Sequence, residues 1–291
     1  MKTLILKACA LLLIFVLLVQ AGAWLAFRAG LSLRWLNGRE VYQALAEARR
    51  PSPARVVVFG DSVGRQLYAP QGRMRDDIRV LCSTAVISLA GQYRVLLEAA
   101  RAGTLRGTEV VLICHPVSFE HDLQDQFTYQ YFIKPFWLPA NRDWLSPAVL
   151  ARVRQVPWHA AVHLPSIRYG NWNPDWTEPP VQLGVRTTNY IHDLAADYLR
   201  RIADLAKREG CPLRIAAPPI NQAWADEFYD PDRFQAEIDE LGLQEVFGPY
   251  ASEVPVSPPD WFIPGDIIHV RAARLREMGS DPLGLLRPRT P

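Results

Sequence analysis

A mainly parallel β-sheet covered by helices on both faces, behind one apolar helix of membrane length, is the architecture this sequence predicts. Three observations carry it. A β-branched run at residues 55–59 and an apolar run at 109–114 each read as a buried strand, and residues 213–217 read as a third strand. Helical stretches alternate with those runs, and alternation of this kind implies a parallel sheet. The first 35 residues are composed differently from the rest and stand apart as a membrane segment with its flank.

Residues 8–27 form an uncharged run of 20 residues, with Lys2 and Lys7 before it and Arg28 and Arg34 after it. At 1.5 Å per residue, a helix of about 20 residues crosses a hydrocarbon core of about 30 Å. A cleaved signal peptide is the competing reading, with Ala21, Gly22 and Ala23 as its cleavage box. The apolar run continues past that box through Phe27, which favours an uncleaved anchor over residues 1–35 and a soluble domain over residues 36–291. Cys9 follows Lys7 and precedes most of the apolar run, which is not the order of a lipoprotein signal. Basic residues are similar on the two sides, so the positive-inside rule leaves orientation open. Anchor and signal peptide alike belong to exported proteins, and the expected location is the cytoplasmic membrane, single-pass, with the domain extracytoplasmic (periplasmic).

Along the soluble part, residues 78–81 and 85–89 give extended pieces, and residues 92–102 have helical composition closed by Gly103. Residues 190–209 are the clearest helix, with Ile191, Leu194, Ala195, Tyr198, Ile202, Leu205 and Ala206 on one face and Gly210 at the end. Short helices are expected at 232–241 and 270–278. Residues 119–187, between the run at 109–114 and the helix at 190–209, form an aromatic-rich insertion without a clean period. Of 24 prolines all but three lie from Pro116 onward, so the second half is rich in ordered loops. The whole reads as a flavodoxin-like three-layer α/β/α sandwich carrying that insertion after its third strand.

Net charge is +2, with no basic stripe, so no nucleic-acid partner is expected. Cys82, Cys114 and Cys211 have no CxxC spacing, and His121, His159, His163 and His192 show no ligand spacing. No metal and no cofactor is expected.

In open parallel sheets the ligand site lies at the carboxyl ends of the strands. Directly after the first strand comes Gly60-Asp61-Ser62-Val63-Gly64, a glycine-permitted strand-to-helix turn that exposes a serine. A serine hydroxyl needs a base to become a nucleophile. Near the other end stands Asp266-Ile267-Ile268-His269, expected to open the last helix. A carboxylate three residues from a histidine on one turn can hold one ring nitrogen and turn the other toward Ser62. Each motif alone has an ordinary structural reading, a capped turn or a packed histidine. Together they point to Ser62, His269 and Asp266 as a serine acyl-ester site.

These two motifs resemble the first and last blocks of the SGNH/GDSL hydrolase superfamily, and the resemblance spans about residues 55–275. It implies Ser62 as nucleophile, His269 as general base and Asp266 as its orienter. It further implies an oxyanion hole from the backbone N–H groups of Ser62 and Gly91, which follows Ser88-Leu89-Ala90. After the third strand the superfamily places a Gly-x-Asn-Asp. This chain has Cys114-His115-Pro116-Val117-Ser118 there, so His115 or Ser118 would take the place of the asparagine, or the hole has two donors. Gly60-x-Ser62-x-Gly64 also fits the α/β-hydrolase elbow, but in those enzymes the serine follows several strands and the acid lies far from the histidine.

The departure resembles the membrane-tethered members of the superfamily that serve polysaccharide O-acetylation or teichoic-acid D-alanylation beside a polytopic membrane-bound O-acyltransferase. The implied function is acyl transfer, of acetyl, through Ser62 to a cell-surface or exported polysaccharide. An esterase or deacetylase with water as acceptor, and a non-catalytic scaffold binding glycan or a partner, remain open. Five of nine tryptophans lie between Trp137 and Trp176. Trp137 and Trp144 are the candidate sugar-stacking rings, against the alternative that they pack the insertion onto the core.

Overall fold

The structure is a computed structural model and describes residues 2–28, 39–69, 76–84, 86–120, 143–153 and 189–286. Four parallel strands form the main sheet in the order β2-β1-β3-β4: β1 Val56–Gly60, β2 Ile78–Val80, β3 Glu109–Ile113 and β4 Leu213–Ala216. Gly60 pairs with Ile113, and Ile113 with Ala216. The ladder beside β1 runs beyond β2, through the Leu81 N–H to Val58 O and the Ser83 N–H to Gly60 O. From β1 the chain goes first to one side and then to the other, so β1 and β3 flank the switch point where open α/β sheets hold ligands.

The β-branched runs alternate between two cores, as a strand's two-residue period requires. Val57, Phe59, Val110 and Leu112 face one core, with helices α2 (Arg39–Ala48), α4 (Leu89–Arg101) and α6 (Asp193–Glu209). Val56, Val58, Val111 and Ile113 face the other, with Val63 and Leu67 of α3 (Ser62–Tyr68) and Leu275 of the last helix, α11 (Ala272–Glu277). Burying each such side chain stabilises the fold by about 1.5–3 kcal/mol. The two apolar layers therefore fix both faces of β1 and the height of its carboxyl end.

Several elements differ from expectation. Residues 86–88 are not a strand. Ser88 caps α4, which starts at Leu89 because the Ser88 hydroxyl accepts the Gly91 N–H and holds the first turn. A second, two-stranded parallel sheet pairs β5 (Ile220–Asn221) with β6 (Val256–Ser257), both too short to leave a period in the sequence. Between them run α7 (Gln222–Phe228), α8 (Pro231–Glu240), α9 (Gln244–Phe247) and α10 (Tyr250–Glu253). Of the aromatic-rich insertion the described parts are 119–120 and 143–153, and in the latter α5 (Pro147–Val153) follows Trp144 into the first core. The C-terminal stretch returns to α3. The Tyr68 hydroxyl donates to Asp281 Oδ1 and accepts from the Leu283 N–H, while Asp281 accepts the N–H groups of Leu285 and Leu286.

α1 (Lys2–Arg28) stands outside both cores. Its segment Lys2–Gly22 is long and apolar enough to cross a membrane, and its large side chains from Leu11 to Leu18 are exposed.

Candidate active site

The turn after β1 depends on its glycines. Gly60 has φ +152°, and a Cβ there would sit 2.4 Å from the Ile113 carbonyl oxygen, so a side chain would push β1 off β3. At Gly64 a Cβ would meet Cys82 Sγ at 2.7 Å, so α3 could not lie this close to the end of β2. Between them Asp61 caps α3: its Oδ1 accepts the Val63 N–H at 2.9 Å, and Ser62 becomes the first helical residue, half-buried at the carboxyl end of β1.

Asp61 is itself buried, and its Oδ2 accepts the Ser118 hydroxyl at 2.9 Å. Burial pushes its carboxyl above the usual aspartate range. The hydrogen bonds from Val63 and Ser118 and the neighbouring His269 ring pull the other way without cancelling it.

Asp266 and His269 lie in a loop before α11, not on a helix as the sequence suggested. Asp266 Oδ1 accepts the N–H groups of Ile268 at 2.9 Å and His269 at 3.1 Å, a side-chain turn that competes with helix. Its other oxygen, Oδ2, lies 2.7 Å from His269 Nδ1, and His269 Nε2 lies 3.0 Å from Ser62 Oγ. The structure thus brings Ser62, His269 and Asp266 into one hydrogen-bonded line from residues 207 apart in sequence. Partial burial works to raise the Asp266 carboxyl, but hydrogen bonds from Ile268 and His269, and the electrostatic pull of the neighbouring His269 ring, hold it below the usual range. An ionised Asp266 requires the proton on Nδ1, which leaves the Nε2 lone pair facing the Ser62 hydroxyl. The loop is held from behind by an antiparallel bridge between Phe262 and Val270, and by the Ile263 N–H to His269 O at 3.0 Å. From the front, Gln66 of α3 bonds both backbone groups of Val270.

No family model and no curated protein matches this chain.

The remaining candidate residues fare differently. Gly91 sits in the first turn of α4 with its N–H 3.3 Å from Ser88 Oγ, so it can serve an oxyanion only by sharing that donor. Ser62, first in α3, has a backbone N–H without a helical acceptor. Ser118 is committed to Asp61, which removes it as the substitute for the missing asparagine. His115 is fully buried, its Nδ1 accepts the Val117 N–H at 3.2 Å, and its ring packs edge-on against Trp224, so it lines the core and not a solvent-facing hole. Trp144 is also fully buried, which rules it out as a sugar-stacking ring. Trp137 lies outside the described residues. Among the described residues no group of three His, Cys, Asp or Glu side chains could hold a metal ion.

Asp61, Ser118 as its partner, and Gln66 are what sequence reasoning missed. Asp61 had a signal, its place in Gly-Asp-Ser before a helix. Ser118 was marked only by its place after the third strand, as a possible oxyanion donor, and Gln66 had nothing beyond ordinary polarity.

Proposed function

We propose that the chain is an SGNH-type serine acyl-ester enzyme, anchored by α1 with its domain on the extracytoplasmic side, that takes an acetyl group onto Ser62 and passes it to a hydroxyl of a cell-surface or exported polysaccharide. The observation that carries the chemistry is the line Ser62 Oγ–His269 Nε2, His269 Nδ1–Asp266 Oδ2, at 3.0 and 2.7 Å. The strand order β2-β1-β3-β4 with cores on both faces supports a flavodoxin-like sandwich, whose order begins the same way.

In the first half-reaction Ser62 Oγ bonds to the acyl carbon while its proton passes to His269 Nε2. The Asp266 carboxylate offsets the imidazolium charge, and a positioned base of this kind contributes about 10²–10⁴-fold. Collapse of the tetrahedral adduct breaks the bond to the donor's leaving oxygen, which takes the proton from Nε2. In the second half the acceptor hydroxyl gives its proton to Nε2 and bonds to the acyl carbon, and collapse of that adduct breaks the bond to Ser62 Oγ, which takes the proton back from Nε2. The negative oxygen of each adduct would meet the Ser62 N–H and the shared Gly91 N–H, two backbone donors in place of the usual three.

Water as the acceptor, an esterase or deacetylase, is favoured by one specific observation: the His269 and Asp266 side chains are 25% and 32% exposed. The polysaccharide, and a polytopic O-acyltransferase as acyl source, follow from the family resemblance alone.

The test is mass spectrometry of the full chain in detergent after exposure to p-nitrophenyl acetate. An acetyl mass on the peptide containing Ser62, absent in Ser62→Ala, is expected. Added oligosaccharide that becomes acetylated identifies a transferase, and decay to free acetate regardless of glycan identifies a hydrolase. A wild-type chain that never acylates removes both.

A further inference from the structure

We infer that Gln66 is a positioning residue for His269, an inference that rests on Ser62 being the nucleophile. Gln66 lies four residues after Ser62 on α3, so the two share one face of the helix, one turn apart. Its amide spends both ends on a single residue. Nε2 donates to Val270 O at 2.9 Å, and Oε1 accepts the Val270 N–H at 2.9 Å. Val270 is the residue after His269. A single hydrogen bond would leave that backbone free to swivel. Two, made to the N–H and C=O of one residue, fix its distance from α3 and its rotation about the chain axis.

The need for such a clamp follows from where the base sits. His269 comes from a loop, not from a helix or strand. Its contact with Ser62 is partly open to solvent, so water competes for both Oγ and Nε2. Asp266 fixes the ring relative to its own loop, because all its side-chain bonds go to Ile268 and His269. The bridge to Phe262 ties the loop to a neighbouring segment, also from the C-terminal part of the chain. Neither tie refers the ring to Ser62. Gln66 does, because the helix that begins at Ser62 also carries the amide that holds Val270. The serine and its base thus share one rigid reference, though 207 residues separate them. Gln66 reaches Val270 and not the Ser62–His269 pair, so it acts on the reaction only through His269.

The test compares wild type with Gln66→Met, which keeps the length of the side chain and removes both hydrogen-bonding ends. The full chain in detergent is labelled with a fluorophosphonate, in which Ser62 Oγ bonds to phosphorus, fluoride leaves and the serine proton passes to His269. Turnover of p-nitrophenyl acetate is measured alongside. Labelling and kcat should fall roughly 10- to 100-fold, as expected when a base loses its alignment, with KM unchanged. In a His269→Ala background the same substitution should have no further effect on the residual labelling, which a general loosening of the fold would still lower. If Gln66→Met does not fold, Gln66→Glu keeps the acceptor for the Val270 N–H and should show a smaller loss of the same kind. Labelling of a folded Gln66 variant at the wild-type rate, or an equal loss in the His269→Ala background, overturns the role of Gln66 alone. A wild-type chain that is not labelled at all overturns the nucleophile, and this inference with it.

Discussion

Replacing Asp266 with Asn separates the chemistry of the site from its architecture. The amide oxygen of Asn can still accept the N–H groups of Ile268 and His269, which now meet Oδ1 at 2.9 and 3.1 Å, so the loop should keep its path. At the other end the carboxylate oxygen 2.7 Å from Nδ1 is replaced by an NH₂ group. Two donors cannot face each other, so Nδ1 must give up its proton and Nε2 must carry it. Nε2 then presents N–H to Ser62 where a lone pair is needed. Loss of the correct tautomer costs about 10⁴ in rate, which is about 5.4 kcal/mol at about 1.36 kcal/mol per tenfold. Loss of the carboxylate–imidazole contact should cost stability no more than about 1 kcal/mol, because it is partly exposed and screened. Acid stability gives a second signature. The folded Asp266 carboxyl is depressed, so its contribution is fully present above the free aspartate value of about 3.9 and is lost as pH falls through the lower folded value. Asp266→Asn should remove that acid limb. The assay is the rate of acetyl-Ser62 formation from p-nitrophenyl acetate, beside thermal unfolding across pH. A variant that folds and acylates within about tenfold of wild type would refute the tautomer argument.

Ser118→Ala takes one donor from the buried Asp61 carboxylate and should destabilise the fold by about 1–3 kcal/mol. The Asp61 carboxyl is raised in the folded state, so its ionisation opposes folding as pH rises through that value, and the lost donor should cost more at neutral pH than in acid. Denaturant midpoints at two pH values check this, and an equal cost at both would be the contrary result. Trp144→Ala should cost about 3–5 kcal/mol as a core truncation. At a temperature where the variant is folded, acylation and transfer should be equally preserved, whereas selective loss of transfer would return Trp144 to the acceptor site.

Much of the sheet was legible because β1 and β3 are buried on both faces, and such strands are written as β-branched runs, whereas β4 is only partly buried, with Arg214 exposed. The pair β5 and β6 was not, since two residues give no period. Ser62 and His269 could be paired from their order along the chain, because parallel topology puts both at the carboxyl edge. What lay beyond reach was how each polar group is spent. The sequence offers Gly91 and Ser118 as spare donors, yet Ser88 and Asp61 take them. Asp-x-x-His looks like a helix turn, yet a carboxylate that caps two N–H groups holds it as a loop. Trp144 reads as a binding ring from its neighbourhood of tryptophans, and only packing reveals that the core has claimed it.

The return of the C-terminal stretch to α3 also sets a schedule. A ribosome adds about 5–20 residues per second, so the 207 residues between Ser62 and His269 take roughly 10 to 40 s to make. During that interval β1, α3 and the serine already exist while their base has not been synthesised. Contacts of such long sequence separation are also among the slowest to close. The Tyr68–Asp281 latch comes later still in the chain than His269. A half-made chain therefore carries Ser62 without the histidine ring it faces in the complete fold, and the two meet only once nearly all of the domain has been made.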